Sequence, residues 1–412
     1  MKVTAFAYRI VFSLLWCVPA VCAMAQSDVP SPPCEGLDRS ANRISGDLSA
    51  LDPFFESLRT TQRDTLAVVS IFHLGDSHVQ AGFYPAAVRE CFRRDFGNAG
   101  RGLIVPLKLA RTNEPPDYLI VSDENWTASR CIQREPTRAP GIGGVALWTT
   151  AGCASFRITT PHEAFDRITV FHHDRAPLLE APEESACEIG CPWQDTESVT
   201  TIRLRDSVRT IQLVADSFPD GYSNPEFYAF SLENGRGGVL YHSAGINGNS
   251  YDSQLRAEAM LRQTASLRPD LIVVSLGTND SFGRNFDASA LYDRIGKLVG
   301  RLREYNPQSA ILLTVPMECC TRVRYKGKTV RRINPNSEKV RQQIIRAAEA
   351  HGLPYWDFYT VAGGRGARER WYDARLSNAD RIHLTREGYR LQGNLLYEAL
   401  KEAYLTYCRK DK

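Results

Sequence analysis

The feature that most constrains the fold is a β/α alternation broken once, near its start, by a long stretch of different period. Residues 66–74 form an apolar, β-branched run that ends at Gly75, and residues 81–96 follow with helical periodicity. From about residue 106 to 238 the pattern changes to short alternating stretches between turn residues, such as 145–149, 155–159, 167–171, 200–204 and 210–214. The α/β rhythm then returns. Strands are predicted at 239–243, 271–276, 310–315 and 354–358, with helices at 253–266, 288–304, 337–351 and 386–407. Such alternation predicts a parallel sheet covered by helices on both faces. A structureless loop of about 130 residues inside a compact domain is improbable. Residues 106–238 therefore read as an inserted β-rich module, a sandwich, within an α/β domain formed by 26–105 and 239–412.

The first 25 residues stand apart. Lys2 and Arg9 precede an apolar run from Ile10 to Cys22, which ends in Ala23-Met24-Ala25. A basic start, a short apolar centre and an A-x-A site form the pattern of a cleaved secretory signal peptide. The run is short for a bilayer span, and no later stretch is longer, so the expected product is exported, secreted or periplasmic, with no membrane span. Loss of Lys2 and Arg9 takes the formal charge from +3 to +1, because residues 1–25 contain no acid. A near-neutral chain gives no argument for a nucleic-acid partner. The basic cluster 322–332 reads as a solvated hairpin or, equally, as a surface where Arg324, Lys326 and Lys328 meet an anionic polymer, and 409–412 as a tail. Of 11 cysteines, Cys17 and Cys22 fall in the leader. Cys187 and Cys191, across a Pro/Gly-rich loop, are the expected local disulfide. No CxxC pair appears and His172-His173 stands alone, so neither a metal nor another cofactor is expected.

Four short segments carry the chemistry. Leu74-Gly75-Asp76-Ser77-His78 places a serine at a strand-to-helix junction. Gly245-Ile246-Asn247-Gly248-Asn249-Ser250 and Gly277-Thr278-Asn279-Asp280 each follow an apolar strand, and Asp380-Arg381-Ile382-His383-Leu384-Thr385 precedes the final helix. In open α/β sheets the crevice lies beyond the carboxyl ends of the strands, so Ser77, Gly248 and Asn279 can converge there. A serine hydroxyl needs a base, and His383 is the candidate. Asp380, three residues earlier, can accept from one ring nitrogen while the other faces Ser77. The Ser77 N–H at a helix start, the Gly248 backbone and the Asn279 amide are candidate oxyanion donors. A helix N-cap would explain Ser77 taken alone; the three further segments favour a nucleophile. Asp76, His78 and Asp280 read as groups that brace turns or cap helices, and His73 as a core histidine. Trp126, Trp148 and Trp193 read first as sandwich core, with sugar stacking as the alternative.

In this order the four segments resemble the signature blocks of the SGNH (GDSL-type) hydrolases, whose named positions correspond to Ser77, Gly248, Asn279 and His383, with Asp380 completing the triad. The resemblance implies a flavodoxin-like three-layer domain and a metal-free acyl-ester hydrolase. Export, the Gly-Ile-Asn-Gly string and the β-rich segment after the first block resemble one subgroup, bacterial peptidoglycan O-acetylesterases with a carbohydrate-binding-module-like insert. The expectation is an exported serine esterase acting on an acetylated glycan, with peptidoglycan favoured. The alternatives are an esterase on another glycan or lipid ester, an O-acetyltransferase, and a non-catalytic glycan-binding protein.

Overall fold

The computed structural model describes residues 35–173, 179–182, 186–190, 197–215, 225–283 and 285–410. The expected leader, and with it Cys191 and Trp193, lie outside the described residues.

Six strands form the central sheet. In spatial order they are Ile44–Gly46, Pro354–Asp357, Ala310–Val315, Leu271–Ser275, Val68–Gly75 and Gly238–Gly245. All neighbours run parallel except Ile44–Gly46, which pairs antiparallel at one edge. That three-residue edge strand lies in a polar lead, where no apolar run announces it. Numbering the parallel strands along the chain gives the order 2-1-3-4-5, the flavodoxin-like doubly wound arrangement, which carries a switch point beside the first strand. Alternate residues of each strand feed two cores. Phe72, Leu74, Ile272, Val274, Ile311 and Leu313 enter one, and Val69, Ile71, Leu271, Val273 and Leu312 enter the other. This is the period-2 consequence of a sheet buried on both faces.

The helices follow their apolar stripes. Ala288–Tyr305 buries Leu291, Ile295, Leu298, Val299 and Leu302, the i, i+4, i+7, i+8, i+11 face expected of a helix lying on a sheet. Of the expected helices, the one over 81–96 starts two residues late and the one over 253–266 is broken. Helix Phe83–Phe96 is separated from the single turn Ser77–Gln80 by Gly82, whose φ of 82° favours glycine. The helix expected over 253–266 starts earlier, at Tyr251, because Ser250 and Ser253 form a capping box, and it divides at Ala257 into Tyr251–Arg256 and Glu258–Gln263.

The stretch of changed period builds extra sheets. A seven-stranded antiparallel sheet contains Gly102–Ile104, Thr127–Arg130, Val145–Trp148, Phe165–His173, Ala186–Gly190, Glu197–Val208 and Glu226–Glu233. A three-stranded sheet contains Leu119–Val121, Ala154–Thr159 and Thr210–Ala215. Phe156 of the smaller sheet meets Phe227 and Phe230 of the larger, and its ring lies 4.8 Å from that of Trp126. Gly102–Ile104, upstream of residue 106, pairs with Glu226–Glu233. The apolar core of these sheets is continuous with one face of the central sheet, because Phe156, Phe230, Ile246 and Leu74 belong to one buried cluster. Among the described residues no helix is long and apolar enough to cross a membrane.

Candidate active site

The parallel register aligns the carboxyl ends of three central strands. Gly75 lies opposite both Gly245 and Ser275, so the three segments that follow leave the sheet at one level. Ser77 opens its helical turn directly after the first of these strands. Its N–H is one of the four at a helix start that have no intrahelical acceptor. The turn is set by Asp76, whose Oδ1 accepts from the His78 N–H at 2.9 Å.

Ser77 Oγ lies 2.8 Å from His383 Nε2, and His383 Nδ1 lies 2.7 Å from Asp380 Oδ2. With Nδ1–H donating to Asp380, Nε2 is left to accept from the serine hydroxyl. The Asp380 carboxylate also accepts from the backbone N–H groups of Ile382 and His383, at 2.9 and 3.0 Å. Arg381 takes φ 60° to close this loop. Burial alone pushes the Asp380 carboxyl up, but the His383 hydrogen bond and the two N–H groups together outweigh it and hold it well below the ordinary carboxylate range.

The other expected residues converge on the same cleft. Ser77, Gly248, Asn279 and His383 line an open hollow of about 550 Å³, together with Asn113, Asn247 and Phe282. Gly248 has φ 85°, and the atoms nearest a Cβ there would be those of Ile132 at 3.9 Å. Its place therefore requires the left-handed backbone and faces open space, which suits close approach of a ligand. Asn279 Nδ2 donates to the Asn249 carbonyl at 2.8 Å. The loop that carries Gly248 is locked by buried Asn249, which bonds the Gly75 carbonyl, Gln254 and Ser253.

The bracing groups have clear structural duties. Asp280 accepts from the Tyr251 N–H and caps that helix. Tyr389 Oη contacts His78 Nδ1 at 2.9 Å, and burial followed by the neighbouring His383 pushes the His78 imidazole well below its ordinary value. Asp76 is pushed up to about 7, chiefly by burial and further by Asp280, against the lowering effects of the His78 N–H and His383. His73 is a core histidine held between Ser275 Oγ and Tyr241 Oη, at 2.7 and 2.8 Å. Trp126 is buried in the sheet core, and Trp148 is half-buried with the Arg138 guanidinium 4.8 Å from its ring centroid. Among the described residues no group of three or more His, Cys, Asp or Glu is placed to hold a metal ion.

One network, centred on the buried Gln80, was not anticipated from the sequence. Gln80, three residues after Ser77 in the same turn, accepts from the Asn247 N–H through Oε1 at 2.5 Å. Its Nε2 donates to Thr112 Oγ1 and to the Asn113 carbonyl, at 2.9 and 2.7 Å. Asn247 Nδ2 in turn reaches Asn113 Oδ1 at 2.7 Å. The only signal in the sequence was the i, i+3 spacing, which puts Ser77 and Gln80 on one face of a turn. Their partners at 112–113 come from a remote segment with no motif.

Comparison with known proteins agrees with this architecture. Residues 216–391 match the model of the GDSL-like Lipase/Acylhydrolase family. The match includes Gly248, Asn279, Asp380 and His383 and begins downstream of Ser77. Among solved structures, a peptidoglycan O-acetylesterase captured in action superposes with a TM-score of 0.70 at 21% identity, over 88% of this chain and 98% of that one. A lipase/acylhydrolase from Enterococcus faecalis gives a TM-score of 0.31 at 19% identity, over 40% of this chain and 77% of that one. A GDSL-like lipase from Bacteroides thetaiotaomicron gives 0.30 at 21% identity, over 40% and 76%. No curated protein matches the sequence.

Proposed function

We propose that this chain is a GDSL-type acylhydrolase, an exported esterase that removes O-acetyl groups from a glycan, with peptidoglycan as the polymer; the family match over residues 216–391 and the shared fold support the acylhydrolase reading. The observation that carries the reading is the Ser77–His383–Asp380 chain of hydrogen bonds, at 2.8 and 2.7 Å, at the wall of an open cleft. The fold-level likeness to a peptidoglycan O-acetylesterase, which spans nearly all of that chain, supports the choice of ester.

In this reading Ser77 Oγ bonds to the acetyl carbonyl carbon while its proton passes to His383 Nε2. The carbonyl π electrons move to oxygen, and the oxyanion is held by the N–H groups of Ser77 and Gly248 with the Asn279 amide. Collapse of the tetrahedral intermediate breaks the carbon–oxygen bond to the sugar, and His383 returns its proton to the departing sugar oxygen. Water then adds to the acetyl-serine, again giving a proton to His383. Breaking of the bond to Oγ, which recovers that proton, releases acetate. Asp380 keeps Nδ1 protonated and stabilises the imidazolium. The residues flanking the cleft suit a saccharide, since Asn113, Asn247 and Asn378 offer amides beside the apolar faces of Phe83 and Phe282. The β-rich sheets are assigned a supporting role in presenting the glycan.

The test is acetate release by purified protein from O-acetylated peptidoglycan, beside other acetylated polymers and p-nitrophenyl acetate. Release from the aryl ester but from no peptidoglycan would overturn the substrate. Release from neither would overturn the esterase reading.

A further inference from the structure

The basic segment 320–333 is not used by the chemistry above. It forms a two-stranded ribbon, Cys320–Tyr325 paired with Lys328–Ile333, joined through Lys326-Gly327 and to no other sheet. Within it stand Arg322, Arg324, Lys326, Lys328, Arg331 and Arg332, without a single Asp or Glu. Among the described residues none of these six cations pairs with a carboxylate. Arg322 and Arg331 are directly opposite in the register, and Arg324 shares their face two residues on. Opposed like charges destabilise a strand pair, and a lone two-stranded ribbon has little stability to spare. A like-charged row with no internal partner is stabilised by an external anion.

Its position relates it to the cleft. At one end, the Cys320 N–H donates to the Arg381 carbonyl at 2.9 Å, in the loop of Asp380 and His383. At the other, Asn334 Nδ2 and Asn336 Nδ2 donate to Ser281, in the turn that carries Asn279, at 2.8 and 3.0 Å. Both feet of the ribbon are thus tied to cleft-forming segments, and the cations beyond them are exposed. Tyr325 is half exposed between Lys326 and Arg332, whose charged groups lie 5.5 and 5.2 Å from its ring.

We propose that this ribbon is a docking surface for the substrate polymer, which it engages through repeated carboxylates, so that the enzyme selects an anionic acetylated glycan over a neutral one. The inference deepens the esterase reading and rests on it for the identity of the polymer. Carboxylates along the chain meet the guanidinium row of Arg322, Arg324 and Arg331 while an acetyl group reaches the cleft. Attraction between exposed charges is screened within about 10 Å at 0.1 M salt, so the contribution must fade as salt rises.

The experiment compares wild type with Arg322→Gln/Arg324→Gln/Arg331→Gln, on native peptidoglycan and on peptidoglycan whose carboxylates have been amidated. At low salt the triple variant should lose about tenfold in kcat/KM on the native polymer, keep wild-type rates on p-nitrophenyl acetate, and lose the salt dependence. Amidation should cost wild type the same factor and leave the variant unchanged. Because glutamine relieves repulsion within the ribbon, the variant should melt no lower than wild type. Co-sedimentation of each protein with the two insoluble polymers reads the docking apart from catalysis. Wild type should pellet with native polymer only, and the variant with neither. Equal pelleting of variant and wild type, a salt-independent wild type, or equal loss on the aryl ester would overturn the proposal. An enzyme that pellets as expected but releases no acetate would overturn the esterase reading and leave the docking surface standing.

Discussion

Gly245→Ala tests how tightly the fold holds its serine. Gly245 ends the strand Gly238–Gly245 with ordinary backbone, so alanine brings no conformational strain there. The penalty is contact. A Cβ would lie 2.2 Å from the Gln80 nitrogen, 2.7 Å from the Val79 carbonyl carbon and 2.8 Å from the Asp76 carbonyl oxygen. All three are backbone atoms of the turn that carries Ser77, and no flexible side chain can move aside. Bringing the nearest contact to an ordinary separation requires a displacement of about 1 Å between this turn and the strand. Overpacking of this kind costs about 1–3 kcal/mol of stability. A misplacement of about 1 Å between reacting groups costs roughly a hundredfold in rate. The variant should therefore fold with a moderately lowered Tm and lose about two orders of magnitude in kcat/KM on p-nitrophenyl acetate. Gly300→Ala supplies the control, since it is an exposed helical position with nothing within 4 Å of a new Cβ. That variant should be as active as wild type and more stable by up to about 1 kcal/mol. A folded Gly245→Ala enzyme with near wild-type turnover would refute the claim that this close packing sets the position of Ser77.

Ser77→Ala should fold normally and lose nearly all esterase activity; retention of more than about a hundredth of the wild-type rate would point to a different nucleophile. Asp380→Asn should lower kcat by roughly three to four orders of magnitude by releasing the imidazole tautomer, and an unchanged rate would remove Asp380 from the mechanism. A third prediction concerns Asp117, which lies between the buried guanidinium groups of Arg89 and Arg101. Burial pushes its carboxyl up, but the two arginines outweigh burial and hold it well below the ordinary carboxylate range. A folded-state value below the unfolded one means that this stabilisation is complete above about pH 4 and is lost as pH falls toward the folded-state value. Urea midpoints should accordingly decline below about pH 4 in wild type. Asp117→Asn should be less stable at pH 7 by about 3–5 kcal/mol, with a shallower acid limb, and an equally steep limb in the variant would show that another carboxylate controls it.

Much of the central sheet was legible because strands buried on both faces read as continuous apolar runs. Val68–Gly75 and Leu271–Ser275 are of this kind. The long helices were legible because their stripes are wide. What escaped was set by contacts between remote segments. Gly82 sets the start of the helix expected from residue 81 at Phe83, because its φ is positive, and local periodicity does not show this. The edge strand Ile44–Gly46 owes its existence to pairing with Pro354–Asp357, far along the chain. At the site, residue types and spacing pointed to Ser77, Asp380 and His383, and the structure brings these three together through bonds that are local or aligned by the sheet. Gln80 could not be found that way, since its partners Asn247, Thr112 and Asn113 come from two distant segments.

The Gln80 network also joins two parts of the cleft that lie far apart in sequence. Ser77 and the Gly248 loop are separated by the whole β-rich stretch, yet their geometry does not depend on its length. Eight parallel backbone positions, from Val68 opposite Gly238 to Gly75 opposite Gly245, fix the two strand ends at one level. Beyond those ends, Asn249 bonds the Gly75 carbonyl, and Gln80 holds the Asn247 N–H from the same turn that presents Ser77. The turn of Ser77 and the loop of Gly248 are thus tied into one body. The β-rich segment joins this body through Thr112 and Asn113, which complete the bonding of both Gln80 and Asn247, and through Cys131, whose Sγ lies 3.8 Å from Asn249 Oδ1. Changes at Asn113 should therefore reach Gly248 through Asn247, whereas changes on the outer strands of the added sheets should leave turnover of a small ester unaffected.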